Sequence, residues 1–249
     1  MRTLALPLVL ALAACTQPEA VRDGAAPVAP PTARARPSPT PAPTPSRTPA
    51  VATIRYVAIG ASDTLGVGAS DPRSGSWPAL LAARLPPSTF FNLGVSASLA
   101  AQARAEQLPD ALVQKPTLVT IWLAVNDLNA MVEPQAYGET LGAIVDELLA
   151  GTPAAIFVGN VPDLRAVPVY ARLDPALLLA RVQAYNAAIA QVAAKDPSRV
   201  ALVDLFTGSA ELVSTATVAA DGFHPSDAGY VLIADRFAAA MRARGIALR

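Results

Sequence analysis

From Val51 onward the chain alternates short, near-continuous apolar runs with longer helical stretches. The runs predict strands over Ile54–Ile59, Thr89–Leu93, Leu118–Leu123, Ala154–Val158 and Arg199–Val203. The stretches between them predict helices over Trp77–Leu85, Ser98–Gln107, Pro134–Leu149, Pro175–Ala194 and Ser226–Ala243. Ser76, Asp174 and Ser226 stand where N-caps belong. Pro78, Pro134 and Pro175 open first turns, and Gly151 closes a helix. Strands alternating with helices of this length imply an α/β fold with a parallel sheet covered on both faces. Burial on both faces also explains why the runs lack polar alternation. In such sheets ligands bind beyond the carboxyl ends of the strands. The residues just after each strand are therefore the candidates for chemistry.

The first fifty residues follow neither pattern. Met1-Arg2-Thr3 gives a short positive start, and Leu4 to Ala14 is an apolar run ending at Cys15. Residues 1–14 thus have the length and order of a signal peptide, too short to span a bilayer comfortably. The segment resembles a bacterial lipoprotein signal, with Leu12-Ala13-Ala14-Cys15 as its lipobox. That resemblance implies cleavage before Cys15, lipidation of its thiol and export to the cell envelope as a membrane-anchored lipoprotein. An ordinary secretory signal with an incidental Cys15 is the plainer alternative. Residues 16–50 hold ten of the chain's 24 prolines among Ala, Thr, Ser and Arg. Such a stretch cannot bury a core, so residues 15–50 are expected to form an extended tether ahead of a domain at 51–249.

Composition narrows the function classes. Formal net charge is zero and no basic stripe exists, which argues against a nucleic-acid partner. The apolar fraction is 53%, but no run after Val51 is long enough to span a membrane. A single Cys rules out an intramolecular disulfide, and with a single His it comes close to excluding a metal site built from those ligands; an all-carboxylate site for a hard cation stays open. No cofactor is implied.

Four strand-end segments carry reactive groups. Gly60-Ala61-Ser62-Asp63-Thr64-Leu65-Gly66-Val67-Gly68 follows the first strand. A Ser on a Gly-flanked turn can point its hydroxyl out of the sheet, though alone it is more often a turn residue or cap. The pattern lacks the second Gly of a Gly-x-Ser-x-Gly elbow and the Lys of a phosphate loop. Gly94 follows the second strand, where its backbone can approach a ligand and offer an N–H. Asn126 follows the third strand, and its neutral amide can donate to a developing oxyanion. Asp221-Gly222-Phe223-His224-Pro225 precedes the last helix. The three-residue spacing lets the carboxylate reach one ring nitrogen, set the tautomer and leave the other nitrogen outward.

Together and in this order, Gly60-Ala61-Ser62 with Gly66 and Gly68, then Gly94, then Asn126-Asp127, then Asp221-x-x-His224-Pro225 resemble the four motif blocks of SGNH hydrolases, the GDSL-like esterases and lipases. The resemblance covers roughly Tyr56 to Arg244. It implies a flavodoxin-like three-layer α/β/α sandwich with Ser62 as nucleophile, His224 as general base and Asp221 as its orienter. The implied oxyanion hole is the Ser62 N–H, the Gly94 N–H and the Asn126 amide. Two positions depart from the family: Ala61 replaces the Asp before the nucleophile, and Ala124 replaces a Gly two residues before Asn126. Asp63 is expected to point elsewhere.

The activity so implied is hydrolysis of carboxylic esters with short acyl chains through an acyl-enzyme. Small esters, acylated glycans and lysolipids are the substrate classes. The segment Asn160 to Tyr170 reads equally as an acyl-facing wall or a packed loop. Two other readings remain: a non-catalytic carbohydrate- or lipid-binding surface lipoprotein, and an acyltransferase using the same triad.

Overall fold

A computed structural model describes residues 53–249; the segments expected to be a signal peptide and a tether, with Cys15, lie outside the described residues. Five strands form one parallel sheet: β1 (Ile54–Gly60), β2 (Ser88–Asn92), β3 (Leu118–Trp122), β4 (Ala155–Gly159) and β5 (Val200–Val203). Their spatial order is β2-β1-β3-β4-β5. Strands are added outward on opposite sides of the parallel pair β1 and β3, in which Gly60 stands opposite Trp122. The crevice beyond these two carboxyl ends is where an open α/β sheet places its ligand.

The sheet is buried on both faces because each strand sends alternate residues into two separate cores. Val57, Ile59, Val119 and Ile121 pack beneath α4 (Ala100–Gln102), α5 (Leu108–Val113), α7 (Pro134–Gly151) and α8 (Pro175–Ala193). Tyr56, Ala58, Leu118 and Trp122 face α3 (Trp77–Arg84) and α9 (Asp227–Ala243). The second core centres on Trp77, stacked on Phe237 at 4.2 Å between centroids and edge-on to Trp122. The architecture is the α/β/α sandwich expected. Among the described residues no helix is long and apolar enough to cross a membrane.

Local signals place most helix starts. Asp174 caps α8 by accepting from the Ala176 and Leu177 N–H groups, and Ser226 caps α9 from Gly229. Ser76 occupies the N-cap of α3, but its hydroxyl makes no capping bond and is buried without a partner. The helix expected over Ser98–Gln107 begins at Ala100, widens to a π-helical turn over Ala103–Gln107 and runs on through α5. Pro109 lies directly after the π-helical turn, at the start of the α-helical stretch α5. Three short helices escaped the periodicity: α1 (Ser62–Leu65), α2 (Pro72–Gly75) and α6 (Val125–Asn129). A single helical turn leaves no repeating apolar face to detect.

Candidate active site

The turn after β1 presents Ser62 as the first residue of α1, so its N–H is one of that helix's unpaired donors. Gly60 makes the turn possible, because a Cβ there would lie 2.0 Å from Thr64 Oγ1 and 2.7 Å from the Trp122 carbonyl. Both backbone groups of Gly60 are held by one buried side chain: the N–H donates to Gln107 Oε1 and the carbonyl accepts from Gln107 Nε2, each at 3.0 Å. Gln107 Nε2 also donates to Ser98 Oγ. Beyond Ser62, Gly66 ends α1 at φ 99°, a left-handed conformation that glycine adopts freely.

The histidine arrives from the loop before α9. His224 Nδ1 lies 2.6 Å from Asp221 Oδ2, while Asp221 Oδ1 accepts from the Phe223 and His224 N–H groups. Burial pushes the Asp221 carboxyl up, but these bonds outweigh it and hold it below the usual carboxylate range. With Nδ1 engaged, Nε2 is the nitrogen left to move a proton. The loop is pinned to the turn after Ser62. Tyr230 donates to the Val67 carbonyl, Ser70 N–H donates to Asp227, and Gly68 is so close that a Cβ would lie 3.0 Å from His224 Cβ. Ser62 Oγ itself makes no hydrogen bond to another protein group among the described residues; such contacts are often loose before substrate binds.

Asn126 lies in the first turn of α6, after β3. One of its amide hydrogens goes to the Ser98 carbonyl at 3.2 Å, leaving the second to donate elsewhere. Ala124, at its N-cap, has φ 92°, a strained conformation for a residue with a Cβ. Asp127, buried to 2% exposure, turns inward and accepts from the Ala100 N–H. Burial pushes its carboxyl up to about 6.

Two expectations need correction. The Gly94 N–H is not free for an oxyanion: it donates to Asn92 Oδ1 at 3.0 Å, an Asx turn closed two residues back. Gly94 is there for close approach, since a Cβ would meet the Leu65 nitrogen at 2.7 Å. Asp63 does not point away from the site. It lies within electrostatic reach of His224 and Asp221.

Beside these groups a cavity of about 140 Å³ opens between the loops after β4 and β5 and the start of α9. Trp122, Val125, Leu164, Val167, Leu205 and Phe223 supply its apolar wall. The Asn160–Tyr170 segment is thus part of that wall as well as packed, with Asp163 paired to Arg165 at 2.6 Å. Sequence reasoning did not single out Asn92 or Gln107. Asn92 and Gln107 act on backbone groups that no side-chain motif reports.

The sequence profile of the GDSL-like lipase/acylhydrolase family matches residues 58–232. No curated protein sequence matches the chain. Among solved structures, TesA superposes with a TM-score of 0.64 at 24% identity, over 76% of this chain and 99% of its own. The psychrotrophic esterase EstA from Pseudoalteromonas sp. gives 0.61 at 17% identity, over 76% and 97%. An acetyl-xylooligosaccharide esterase from Geobacillus gives 0.60 at 21%, over 77% and 94%.

Proposed function

The chain belongs to the GDSL-like lipase/acylhydrolase family, and from that premise we propose that it is a serine esterase working through an acyl-enzyme on esters of short acyl chains. The observation that carries this reading is the 2.6 Å contact between His224 Nδ1 and Asp221 on a loop pinned to the turn after Ser62.

In the proposed reaction Ser62 Oγ attacks the ester carbonyl while His224 Nε2 takes its proton. The tetrahedral oxyanion is met by the Ser62 N–H and the free amide hydrogen of Asn126. Collapse expels the alcohol, which leaves with the proton from His224. Water, deprotonated by the same imidazole, then releases the acid and restores Ser62. Asp221 keeps the ring in the tautomer this needs.

The cavity favours the short-acyl reading. An apolar void of about 150 Å³ accommodates a benzene-sized group, so about 140 Å³ suits an acyl chain of roughly four to six carbons. The tail of a lysolipid exceeds it, which favours small esters and acylated glycans. The lipobox further supports a cell-envelope location through lipidated Cys15. Loss of membrane attachment in Cys15→Ser would be the expected result there.

The deciding experiment is hydrolysis of p-nitrophenyl acetate, butyrate and octanoate by the full chain and by Ser62→Ala. Turnover of the two shorter esters that disappears with Ser62 supports the proposal. A folded wild type that hydrolyses none of them defeats it and returns weight to a binding role. Acyl transfer to added alcohol in excess of hydrolysis would identify a transferase instead.

A further inference from the structure

One charged group on the cavity wall has no part in the mechanism above. Asp63 follows Ser62 on the single turn of α1 and is half-buried. It borders the cavity together with Phe223 and Pro225, the residues on either side of His224. The backbone that continues from it is fastened to that same loop, through Val67 to Tyr230 and by the close approach of Gly68 to His224. Among the described residues no other side chain hydrogen-bonds to Asp63.

Building on the esterase reading, we propose that Asp63 is a positioning residue acting through His224: a second carboxylate, presented from the nucleophile's own helix, that stabilises the imidazolium formed as Ser62 gives up its proton. Asp221 holds the ring by direct contact at Nδ1; Asp63 acts across space. Its neighbours are the apolar cavity wall, where a charge is felt more strongly than in water. Once His224 accepts the Ser62 proton, an ionised Asp63 lowers the energy of the new cation. A protonated Asp63 does not.

The surroundings leave Asp63 as the carboxylate of the cavity wall whose charge is open to change. Burial pushes the Asp63 carboxyl up to about 6, with His224 pulling it down and Asp221 pushing it further up. Tyr170 from the loop after β4 and Tyr230 from α9 also face it. Burial pushes both phenols up, Tyr170 to about 12, so both stay neutral. Also on the cavity wall, Asp163 is held ionised by Arg165, and Arg236 donates to the Thr207 carbonyl. Asp63 is therefore ionised at neutral pH and loses its charge in mild acid.

His224 is the only histidine in the chain, so its ring gives one resolvable proton NMR signal without any need for turnover. The test is a titration of that signal in the full chain, in Asp63→Asn and in Asp63→Glu, beside kcat/KM against pH for p-nitrophenyl acetate. Asp63→Asn is expected to lower the imidazole midpoint by about 0.5–1 pH unit, equivalent to about 3- to 10-fold in proton affinity. The kcat/KM plateau should fall about 3- to 10-fold, while at the acid limit the lower imidazole midpoint offsets that loss and the rate stays close to wild type. Asp63→Glu should recover part of each change. An imidazole midpoint that stays put in Asp63→Asn would overturn the proposal even if activity fell. Should that variant fail to fold, the wild-type titration decides: a two-group curve supports the coupling, and a simple one-proton curve overturns it. An inactive wild type with a shifted midpoint in Asp63→Asn would defeat the esterase reading and uphold the coupling.

Discussion

Gln107 closes a ring of two hydrogen bonds on Gly60, accepting from its N–H and donating to its carbonyl, both at 3.0 Å. Gly60 is the last residue of β1 and stands two residues before Ser62. The π-helical turn Ala103–Gln107 is what brings this side chain to the strand end, and such turns recur at functional sites. Gln107→Ala would leave the buried Gly60 N–H unpaired, while the carbonyl keeps its bond from the Val95 N–H, costing about 1–3 kcal/mol. Urea unfolding should show that loss. Ester turnover should show a fall in kcat, because the turn carrying Ser62 is no longer held.

Asn126 is expected to carry more of the oxyanion than the motif alone implies, since the Gly94 N–H is committed to Asn92. Removing one such donor typically costs about 3–4 kcal/mol of barrier. Asn126→Ala should therefore lower kcat about 100- to 1000-fold with KM little changed. A rate within a few-fold of wild type would remove Asn126 from the site.

Strand positions, their burial on both faces and the Asp221–His224 pairing were legible in the sequence because each is a local matter. Unbroken apolar runs mark strands buried on both faces, and a three-residue spacing lets a carboxylate reach a ring. Long-range groups were not legible. Gln107 reaches Gly60 across 47 residues, and nothing in either segment announces the pair. Asn92 was readable in principle, as an Asx-turn former two residues before Gly94, but the glycine drew the oxyanion role to itself. Asp63 was misplaced because one residue of offset on a strand corresponds to the opposite face. α1 begins at Ser62, so successive residues there are related by a helical step instead.

Asp221 should be needed more for the tautomer of His224 than for its position. Asp221→Asn keeps an oxygen able to accept the Phe223 and His224 N–H groups, yet it can present an N–H to Nδ1 and reverse the ring's protonation. In a triad such a change costs about 10⁴ in kcat. Stability follows a separate course. The folded carboxyl lies below its ordinary value, so its contribution is present above the unfolded value and is lost as pH falls. Thermal unfolding of wild type and Asp221→Asn should converge in acid and separate toward neutrality.

Asp127 behaves in the opposite sense. Burial raises its folded pKa from 3.8 to about 6, against the bonds from the Ala100 N–H. Ionisation then favours the unfolded chain, so the stability it contributes is greatest in acid, falls between about pH 4 and 6 and is level above. Asp127→Asn keeps an oxygen for Ala100 and has no charge to bury. Relative to wild type it should gain on the order of 2–3 kcal/mol between pH 4 and 7. Urea unfolding at the two pH values checks this, and a constant difference would mean that Asp127 does not titrate in that range.

Ala124 makes the last prediction, on stored strain. Its φ of 92° is one that a Cβ disfavours, and it sits at the entry to the helix carrying Asn126. Relief of such strain is worth about 1–3 kcal/mol. Ala124→Gly also gives up a buried methyl, about 0.8 kcal/mol, and adds about 0.5–1 kcal/mol of unfolded-chain entropy. The two sides nearly cancel, so the substitution should leave stability within about 1 kcal/mol of wild type. Ala238, fully buried inside α9, has the same methyl and no strain to release. Ala238→Gly should therefore cost about 2 kcal/mol. Parallel urea unfolding of the two variants isolates the strain as their difference. Equal losses at both positions would show that the Ala124 backbone is at ease, and that the alanine in place of the family glycine imposes no cost on the turn before Asn126.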